Sequence, residues 1–297
     1  MSAMISNSFT KLHSFFTRLQ NPFNWISKPL LPSLITPLKH RAQKGCVYLI
    51  GAGAGDIELL TLKAYRLLQE ADVVLYDWLV NKDVLTILPH RVETIFVGKK
   101  AGCHSMSQTE ICQLMLEQAQ QGKRVVRLKG GDPSIFGRLN EETTILTEHD
   151  IPFAIVPGIT AASGCAAYSG IPLTDRDCTQ SVRFVTAHLK NEGEQPPWEN
   201  LAISTDTLVF YMGLNRIEHI AKQLTQHGML SSMPMAIIDQ GTSANQQVCI
   251  STLENIKSDN QWRTFTGPAL IIVGKVIEKR QKVDLALLSA KSTVNLI

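Results

Sequence analysis

Short apolar runs and longer amphipathic segments alternate along the chain from residue 45 onward. The apolar runs predict nine β-strands, at 46–50, 73–76, 94–97, 125–129, 153–156, 182–186, 208–211, 235–238 and 270–273. The run at 247–251 is a further candidate. Helices are predicted at 58–70, from the capping box that Ser107 opens, and near 160–168. These repeated units predict a largely parallel sheet covered by helices, and the last strands suggest antiparallel pairing.

This order of elements predicts an α/β protein with two α/β domains that meet near residue 157. The expected boundaries are 1–44 for a basic N-terminal extension, 45–157 and 158–282 for the two domains, and 283–297 for a tail. Each domain is long enough to bury a core of its own.

The first 44 residues differ in charge from the rest of the chain. They contain six Lys or Arg and no Asp or Glu, so they carry +6 and leave −3 for the remainder of a chain with net charge +3. A mildly acidic body argues against a nucleic-acid partner. The extension resembles an organelle transit peptide or a surface-seeking segment, but its four prolines favour a poorly ordered extension.

The six cysteines are scattered, without a CxxC pair or the spacing of metal ligands. They predict reduced thiols, a cytoplasmic location and no metal site. No apolar run approaches the roughly 20 residues of a membrane-spanning helix. The GxSxG elbow and the P-loop are absent from the sequence.

The segment VVRLKGGDPSIFGR at 125–138 carries the strongest chemical signal. Arg127 and Lys129 interrupt a strand where a plain core strand would stay apolar. Two glycines then allow the backbone to turn sharply and to approach a bound molecule, and Asp132 places a carboxylate at the strand's carboxyl end. Ligands of open α/β sheets bind at that edge. A strand-to-helix turn capped by Asp132 is the structural alternative.

The glycine cluster GAGAGD at 51–56 does not match a dinucleotide-binding loop. The third glycine of GxGxxG would have to occupy position 56, which is Asp56. Asp56 and Glu58 would also repel a pyrophosphate at the start of the following helix. We therefore predict that Gly53 and Gly55 bind a substrate other than a dinucleotide, with a tight strand–helix turn as the alternative.

Charged residues follow several other strands of the predicted sheet. Asp77, between Tyr76 and Trp78, is a candidate general base, or else the N-cap of a helix at 81–88. Lys99 lies on the same expected rim and is a candidate proton donor or partner for acidic substrate groups, or else part of a solvated loop. Arg138 and Arg176 are candidates for binding substrate carboxylates, because a guanidinium holds two oxygens at once.

Small residues mark three further strand ends. Thr160 and Ala161 in VPGITAASG leave room for a flat ligand close to a helix start, or else allow tight helix–sheet packing. Met212 in YMG provides a soft apolar contact for a ligand, or else fills a core. Gly241 in DQGTS follows another strand.

Taken together, these segments resemble the uroporphyrinogen-III C-methyltransferases of the tetrapyrrole methylase family, most closely the methyltransferase half of sirohaem synthase. The similarity extends over about 45–280. The matching runs, in the family's order, are VYLIGAGAGDIELLTLKA, VVLYD, FVGKKAG, VVRLKGGDPSIFGR, IVPGITAASG, GIPLTDRD, TLVFYMGL, DQGTS and PALIIVG.

The resemblance implies a fold and a reaction. It implies two α/β domains with S-adenosyl-L-methionine in the cleft between them, usually in a homodimer. It also implies transfer of two methyl groups to uroporphyrinogen III, giving precorrin-2 for sirohaem or cobalamin biosynthesis. Direct attack of a ring carbon on a sulfonium methyl needs alignment and proton removal, and needs no metal.

The resemblance also assigns roles to particular residues. Asp77 matches the proposed proton acceptor and Lys99 the proposed proton donor. The residues that match the methyl-donor site are Gly130, Gly131, Asp132, Ile135, Thr160, Ala161, Met212 and Gly241.

This chain departs from the family pattern at five places. Trp78 replaces an arginine, which removes a partner for a substrate with eight carboxylates, and Asp175 replaces a histidine. The other departures are Ala54 for proline, Leu139 and Asn140 for two glycines, and Ala187 for glycine. They keep two alternatives open: a homologue that binds the tetrapyrrole or the methyl donor without turnover, and a methylase of a later precorrin.

Overall fold

The computed structural model describes residues 45–98, 106–188 and 194–289. The predicted N-terminal extension and the end of the predicted tail lie outside these ranges. Within them, no helix has both the length and the hydrophobicity needed to cross a bilayer. The fold consists of two five-stranded sheets with helices on their faces, and this α/β architecture confirms the predicted fold class.

The first sheet is parallel throughout and has the strand order β3-β2-β4-β1-β5. Apolar side chains fill both of its faces, as expected for a sheet covered on two sides. Its strands are β1 (Cys46–Gly51), β2 (Val73–Tyr76), β3 (Glu93–Phe96), β4 (Arg124–Lys129) and β5 (Phe153–Val156).

Helices cover the two faces of this sheet. Leu67 and Leu68 of α1 (Leu62–Glu70) pack with Ile50 on one face. Helix α2 (Asp83–Thr86) follows β2. Met115 of α3 (Gln108–Gln120) and Leu146 of α4 (Leu139–Glu148) pack on the opposite face.

The second sheet is mixed and has the order β6-β7-β10-β8-β9. Strands β6 and β7 are parallel, and the other three pairs are antiparallel, which confirms the pairing expected from the last strands. Its strands are β6 (Val182–Thr186), β7 (Thr207–Tyr211), β8 (Pro234–Asp239), β9 (Gln247–Thr252) and β10 (Ala269–Val273).

Two layers of helices also enclose the second sheet. Helix α5 (Ala161–Ser169) packs on one face, where Cys165 lies against β8 and β10. Helices α6 (Trp198–Ala202) and α7 (Ile217–Gln226) pack on the other face. A short helix, α8 (Ala286–Ser289), ends the described chain.

The predicted helix at 58–70 is too long at its start. A 3₁₀ turn occupies Ile57–Leu59, with Asp56 as its N-cap, and α1 begins only after the Thr61 side chain accepts a hydrogen bond from Ala64 N at 3.1 Å. Because the Thr61 side chain caps a new helix, the 3₁₀ turn and α1 do not form one continuous helix. The capping box at Ser107 and Glu110 is confirmed.

Candidate functional site

The carboxyl ends of β1 and β4 form the centre of the candidate site. These strands are neighbours in the sheet, but the chain leaves them in opposite directions. From β1 it continues to β2, toward the β3 edge, and from β4 it continues to β5 at the opposite edge. Their connecting helices, α1 and α4, pack on opposite faces. Such a reversal of strand order opens a crevice at the carboxyl edge, where ligands bind in α/β sheets.

Three glycines bring the strand ends into backbone contact. Gly53 and Gly131 form an isolated bridge, with N–O distances of 3.2 and 2.7 Å. A Cβ on Gly158, after β5, would lie 2.3 Å from the Gly131 carbonyl oxygen. A side chain at Gly158 would therefore prevent this approach, while Gly53 and Gly131 have positive φ values that favour glycine.

Asp132 fastens the turn after β4 to the segment after β5. Its Oδ2 accepts a hydrogen bond from Gly158 N at 3.0 Å, and its Oδ1 accepts one from Ser134 N at 2.8 Å. The carboxylate thus caps a turn, as the structural alternative proposed, and also fixes the relative position of two strand ends.

Gly131 lies against the start of α5. Its φ is +68°, and a Cβ there would be within van der Waals distance of Ala161 N at 3.9 Å and the Thr160 Cα at 4.0 Å. Gly131 is partly exposed and carries no side chain, so a small group can approach its backbone closely. Gly131, Thr160 and Ala161, which are predicted to form part of the methyl-donor site, therefore lie next to one another.

Tyr211 links the start of α5 to the second sheet. Its hydroxyl lies 2.7 Å from Thr160 Oγ1 and accepts a hydrogen bond from Ala162 N at 3.1 Å. Burial raises the pKa of Tyr211. The next residue, Met212, is half exposed and has a φ of +58°, a conformation that costs free energy for a residue with a side chain.

The loop after β8 is held against the glycine loop after β1. Asp56 N donates to Thr242 Oγ1 at 3.0 Å, and Asp56 Oδ2 accepts from the Tyr168 hydroxyl of α5 at 2.8 Å. A Cβ on Gly55 would lie 2.9 Å from the carbonyl oxygen of Gly241. The crevice is therefore bounded by loops from both sheets.

Partial burial and the bond to Asp56 change the acidity of Tyr168. Loss of solvation disfavours the phenolate, and the neighbouring carboxylate accepts the phenol's hydrogen bond. Together they raise the pKa of Tyr168 to about 12.

Asp77 lies at the same carboxyl edge, at the end of β2. Its side chain is one-quarter exposed, its Oδ1 accepts a hydrogen bond from Leu79 N at 3.1 Å, and its Oδ2 lies 3.4 Å from Arg127 Nη2. A Cβ on Gly130 would lie 2.5 Å from the Leu79 Cβ, so the turns after β2 and β4 are in contact. Asp77 and the Gly130–Asp132 turn thus share one edge of the sheet.

Arg127 and Lys129 point from β4 into a buried cluster of charges. Both donate to Glu142 of α4, whose side chain is fully buried: Arg127 Nε lies 3.0 Å and Lys129 Nζ 2.9 Å from Oε1. Gln108 Nε2 donates to the same oxygen at 3.2 Å. Burial and the nearby Arg127 lower the pKa of Lys129. The two charged residues in this otherwise apolar strand therefore form ion pairs with the buried Glu142.

The remaining predicted residues are less closely connected to the crevice. Ile135 is half-buried, and its N donates to the Asp132 carbonyl at 3.2 Å. Arg138 is exposed, has a φ of +54° and binds Glu141 at 2.6 Å. Arg176 is exposed in the loop before β6. Lys99 lies outside the described residues.

Comparison with known proteins is consistent with this arrangement. Residues 46–257 match the family model described as Tetrapyrrole (Corrin/Porphyrin) Methylases. The chain belongs to the tetrapyrrole methylase family. This match covers the first sheet, four of the five strands of the second sheet and each residue predicted for the methyl-donor site.

Curated relatives of this tetrapyrrole methylase are named siroheme synthase. The protein of Escherichia fergusonii is 53% identical over 248 residues, which cover 84% of this chain and 53% of the relative. That of Vesicomyosocius okutanii is 50% identical over 243 residues, which cover 82% and 52%. The chain spans about half the length of the curated relatives it matches.

Solved structures share the fold over nearly their whole length. The uroporphyrin III C-methyl transferase of Thermus thermophilus is 40% identical with a TM-score of 0.69, covering 79% of this chain and all of that one. The same values hold for its complex with S-adenyl homocysteine. A cobalt precorrin-4 methyltransferase is 28% identical, with a TM-score of 0.69 over 78% and 95% of the two chains.

Some important residues of the site were not found from the sequence. Tyr211 was assigned only to the end of a strand, although its hydroxyl binds the start of α5. Glu142 is not among the residues predicted from the sequence, and the only signal for it is the pair of cations on β4. Tyr168 and Thr242 have no local signal, because their contacts with Asp56 join residues more than a hundred positions apart.

Proposed function

We propose that this protein is an S-adenosyl-L-methionine-dependent C-methyltransferase of uroporphyrinogen III. It transfers two methyl groups to ring carbons two and seven and forms precorrin-2, for sirohaem or cobalamin biosynthesis. The observation that carries the proposal is the single crevice that contains both Asp77 and the Gly130–Asp132 turn. The names of the relatives and of the Thermus structures support the choice of substrate and donor.

The donor site in this proposal is the gap between the turn after β4 and the start of α5. Gly130, Gly131 and Asp132 form one wall, and Thr160 and Ala161 form the other. Ile135, Met212 and Gly241 complete the proposed set. The partly exposed Gly131 has no side chain to keep a ligand away from its backbone, and the exposed Met212 side chain is available for an apolar contact.

Asp77 serves as the proton acceptor. The donor, when bound, supplies an electrophilic methyl group to a nucleophilic carbon of the macrocycle, and that ring must then release a proton. Each carboxylate oxygen of Asp77 has one hydrogen-bond partner among the described residues, so lone pairs remain for this proton. Lys99 keeps its proposed role as proton donor.

The substrate is bound through its carboxylates and its flat ring. Exposed guanidinium groups suit paired contacts with carboxylates, and Arg176 is the proposed example before β6. Arg138 can exchange its exposed partner Glu141 for a substrate carboxylate. Gly53 and Gly55 have no side chains, so the loop after β1 leaves room for the macrocycle of the proposed substrate. Trp78, 56% exposed next to Asp77, offers a stacking surface.

The proposal includes a homodimer in the cytoplasm. Phe153 and Ile155 of the edge strand β5 are 37% and 45% exposed, and Phe136 beside them is 42% exposed. They line a groove of about 580 Å³. A contiguous apolar surface of this kind is typical of protein–protein contacts, and a second copy is the proposed occupant. The five cysteines of the described ranges are free thiols, as a reducing compartment requires.

The test is anaerobic incubation of the protein with uroporphyrinogen III and S-adenosyl-L-methionine, followed by product mass. Two added methyl groups are expected with the wild type, and a strongly reduced rate with Asp77→Asn, which cannot accept the ring proton. Donor binding by calorimetry without any product would contradict the proposal and favour a binding homologue. Methylation of a precorrin but not of uroporphyrinogen III would identify a later step.

A further inference from the structure

A fully buried carboxylate lies beneath the proposed proton acceptor. Glu142 has no exposed surface, and it accepts hydrogen bonds from three side chains on two elements. Lys129 Nζ contacts both of its oxygens at 2.9 Å. Since a buried charge without partners is strongly destabilising, the three donors explain how Glu142 is tolerated.

Arg127 is the only described side chain that contacts both Glu142 and Asp77. Its Nε lies 3.0 Å from Glu142 Oε1, and its Nη2 lies 3.4 Å from Asp77 Oδ2. Its Nη1 donates to the carbonyls of Leu75 and Leu128 at 3.4 and 3.0 Å. The guanidinium is planar, so fixing Nε and Nη1 also fixes the direction of Nη2.

The charges of this cluster balance. Arg127 and Lys129 are the cations, and Glu142 and Asp77 are the anions, so the four together carry no net charge. Without Glu142, two buried cations would share only Asp77, and both would be drawn toward the crevice. The carboxylate that has to accept a proton would then be held by stronger ion pairs and in another position.

We propose that Glu142 is a positioning residue for methyl transfer. It anchors Arg127 from below, and Arg127 in turn holds Asp77 at the crevice with one long, weak contact. Lys129 neutralises Glu142 so that Arg127 is not pulled away from Asp77. This inference rests on the proposed function, because it assigns Asp77 the proton-accepting role.

The first test is Glu142→Gln, compared with Glu148→Gln as a control on the exposed end of the same helix. The new amide carries N–H donors that cannot bond to Arg127 or Lys129, since both are donors only. We expect kcat to fall roughly 10- to 100-fold, the scale of a small misplacement of a catalytic group. KM for uroporphyrinogen III and the dissociation constant of S-adenosylhomocysteine should stay within about twofold, and the control should match the wild type.

A second variant covers the case in which Glu142→Gln does not fold. Arg127→Lys keeps the charge of the cluster, but a single ammonium cannot contact Glu142 and Asp77 in the way that the guanidinium does. The same loss of kcat is expected. Combining either variant with Asp77→Asn should cause no further loss, because the group being positioned is already gone.

A crystal structure of the folded variant gives a readout that does not depend on turnover. We expect the separation of residue 127 from Asp77, and the rotamer of Asp77, to differ from those of the wild type. If the wild type is active but the Glu142→Gln and Arg127→Lys variants retain its kcat, the inference is overturned and the proposed function stands. The same conclusion follows if either variant lowers kcat further in the Asp77→Asn background. An inactive wild type would overturn it together with the proposed function.

Discussion

Single residues determine the crevice mainly by the absence of side chains. Gly51, Gly131 and Gly158 let three strand ends meet backbone to backbone. Met212, which follows β7, and Thr242, in the loop after β8, have positive φ despite carrying side chains. Strained residues of this kind concentrate at functional sites because the surrounding structure must hold them there.

The first prediction concerns Gly131→Ala. The new methyl group projects toward Ala161 N, 3.9 Å away, at the proposed donor site, and the φ of +68° becomes strained. We expect the free energy of unfolding to fall by about 1 kcal/mol. The dissociation constant of S-adenosylhomocysteine should rise roughly tenfold or more. Gly228→Ala is the control, because it also has a positive φ but lies in open space elsewhere. Calorimetry showing equal donor affinity in both variants would contradict this donor site.

A second prediction concerns the exposed indole beside Asp77. Trp78→Arg adds a guanidinium for a substrate carboxylate, and one charge-assisted hydrogen bond is worth about 1.5–3 kcal/mol. We expect KM for uroporphyrinogen III to fall roughly tenfold or more. Ile203→Arg, at another exposed apolar position, controls for the added charge. An unchanged or raised KM would mean that Trp78 itself contributes the more favourable contact.

At the scale of elements, the hydrophobic pattern predicted every strand of the described ranges to within a residue or two. Periodicity succeeds best for the central strands, such as β1, β2, β7 and β10, because they are buried and have Gly, Pro or Asp beside their ends. The edge strands β3, β5, β6 and β9 are more exposed. The helix expected at 58–70 was wrong at its start, where local capping by Asp56 and Thr61 outweighs the apolar spacing. Contacts between segments far apart in sequence, such as that of Asp56 with Tyr168 of α5, leave no local pattern from which they could be predicted.

A third prediction tests that contact between the loop after β1 and helix α5. Tyr168→Phe removes the hydrogen bond to Asp56 and should cost about 1–1.5 kcal/mol at pH 8. The folded phenol has a pKa of about 12, against about 10 in the unfolded chain. Its contribution is therefore complete below pH 10 and is lost as the pH rises through 12.

Denaturant unfolding of both proteins between pH 8 and pH 12 measures this difference. The stability gap between the wild type and Tyr168→Phe should narrow steadily above pH 10. A gap that stays constant over this range would show that the phenol is not bonded to Asp56 in solution.

At the scale of the whole molecule, the crevice requires both sheets. The first sheet supplies Asp77 and the turn after β4, and Tyr211 of the second sheet binds the start of α5. Tyr211 also contacts Phe136 and Phe184, with ring centroids 5.0 and 5.7 Å apart. Through Phe136, which also lines the groove at β5, Tyr211 connects the candidate site to the exposed face of that strand.

A fourth prediction concerns that exposed face. Ile155→Glu places a charge in the apolar groove and should convert a dimer into a monomer, measured by light scattering after gel filtration. Ile250→Glu is the matched control, since Ile250 is 40% exposed on the edge strand of the other sheet. A wild type that is monomeric at micromolar concentration, or a dimer that survives Ile155→Glu, would contradict the proposed interface.

The most direct measurement for the whole account is a crystal structure of this protein with S-adenosylhomocysteine. The ligand should lie between the Gly130–Asp132 turn and Thr160–Ala161, with its sulfur facing the side of the crevice that holds Asp77. A ligand bound elsewhere, or with its sulfur turned away from Asp77, would contradict the claim that one crevice brings donor and proton acceptor together.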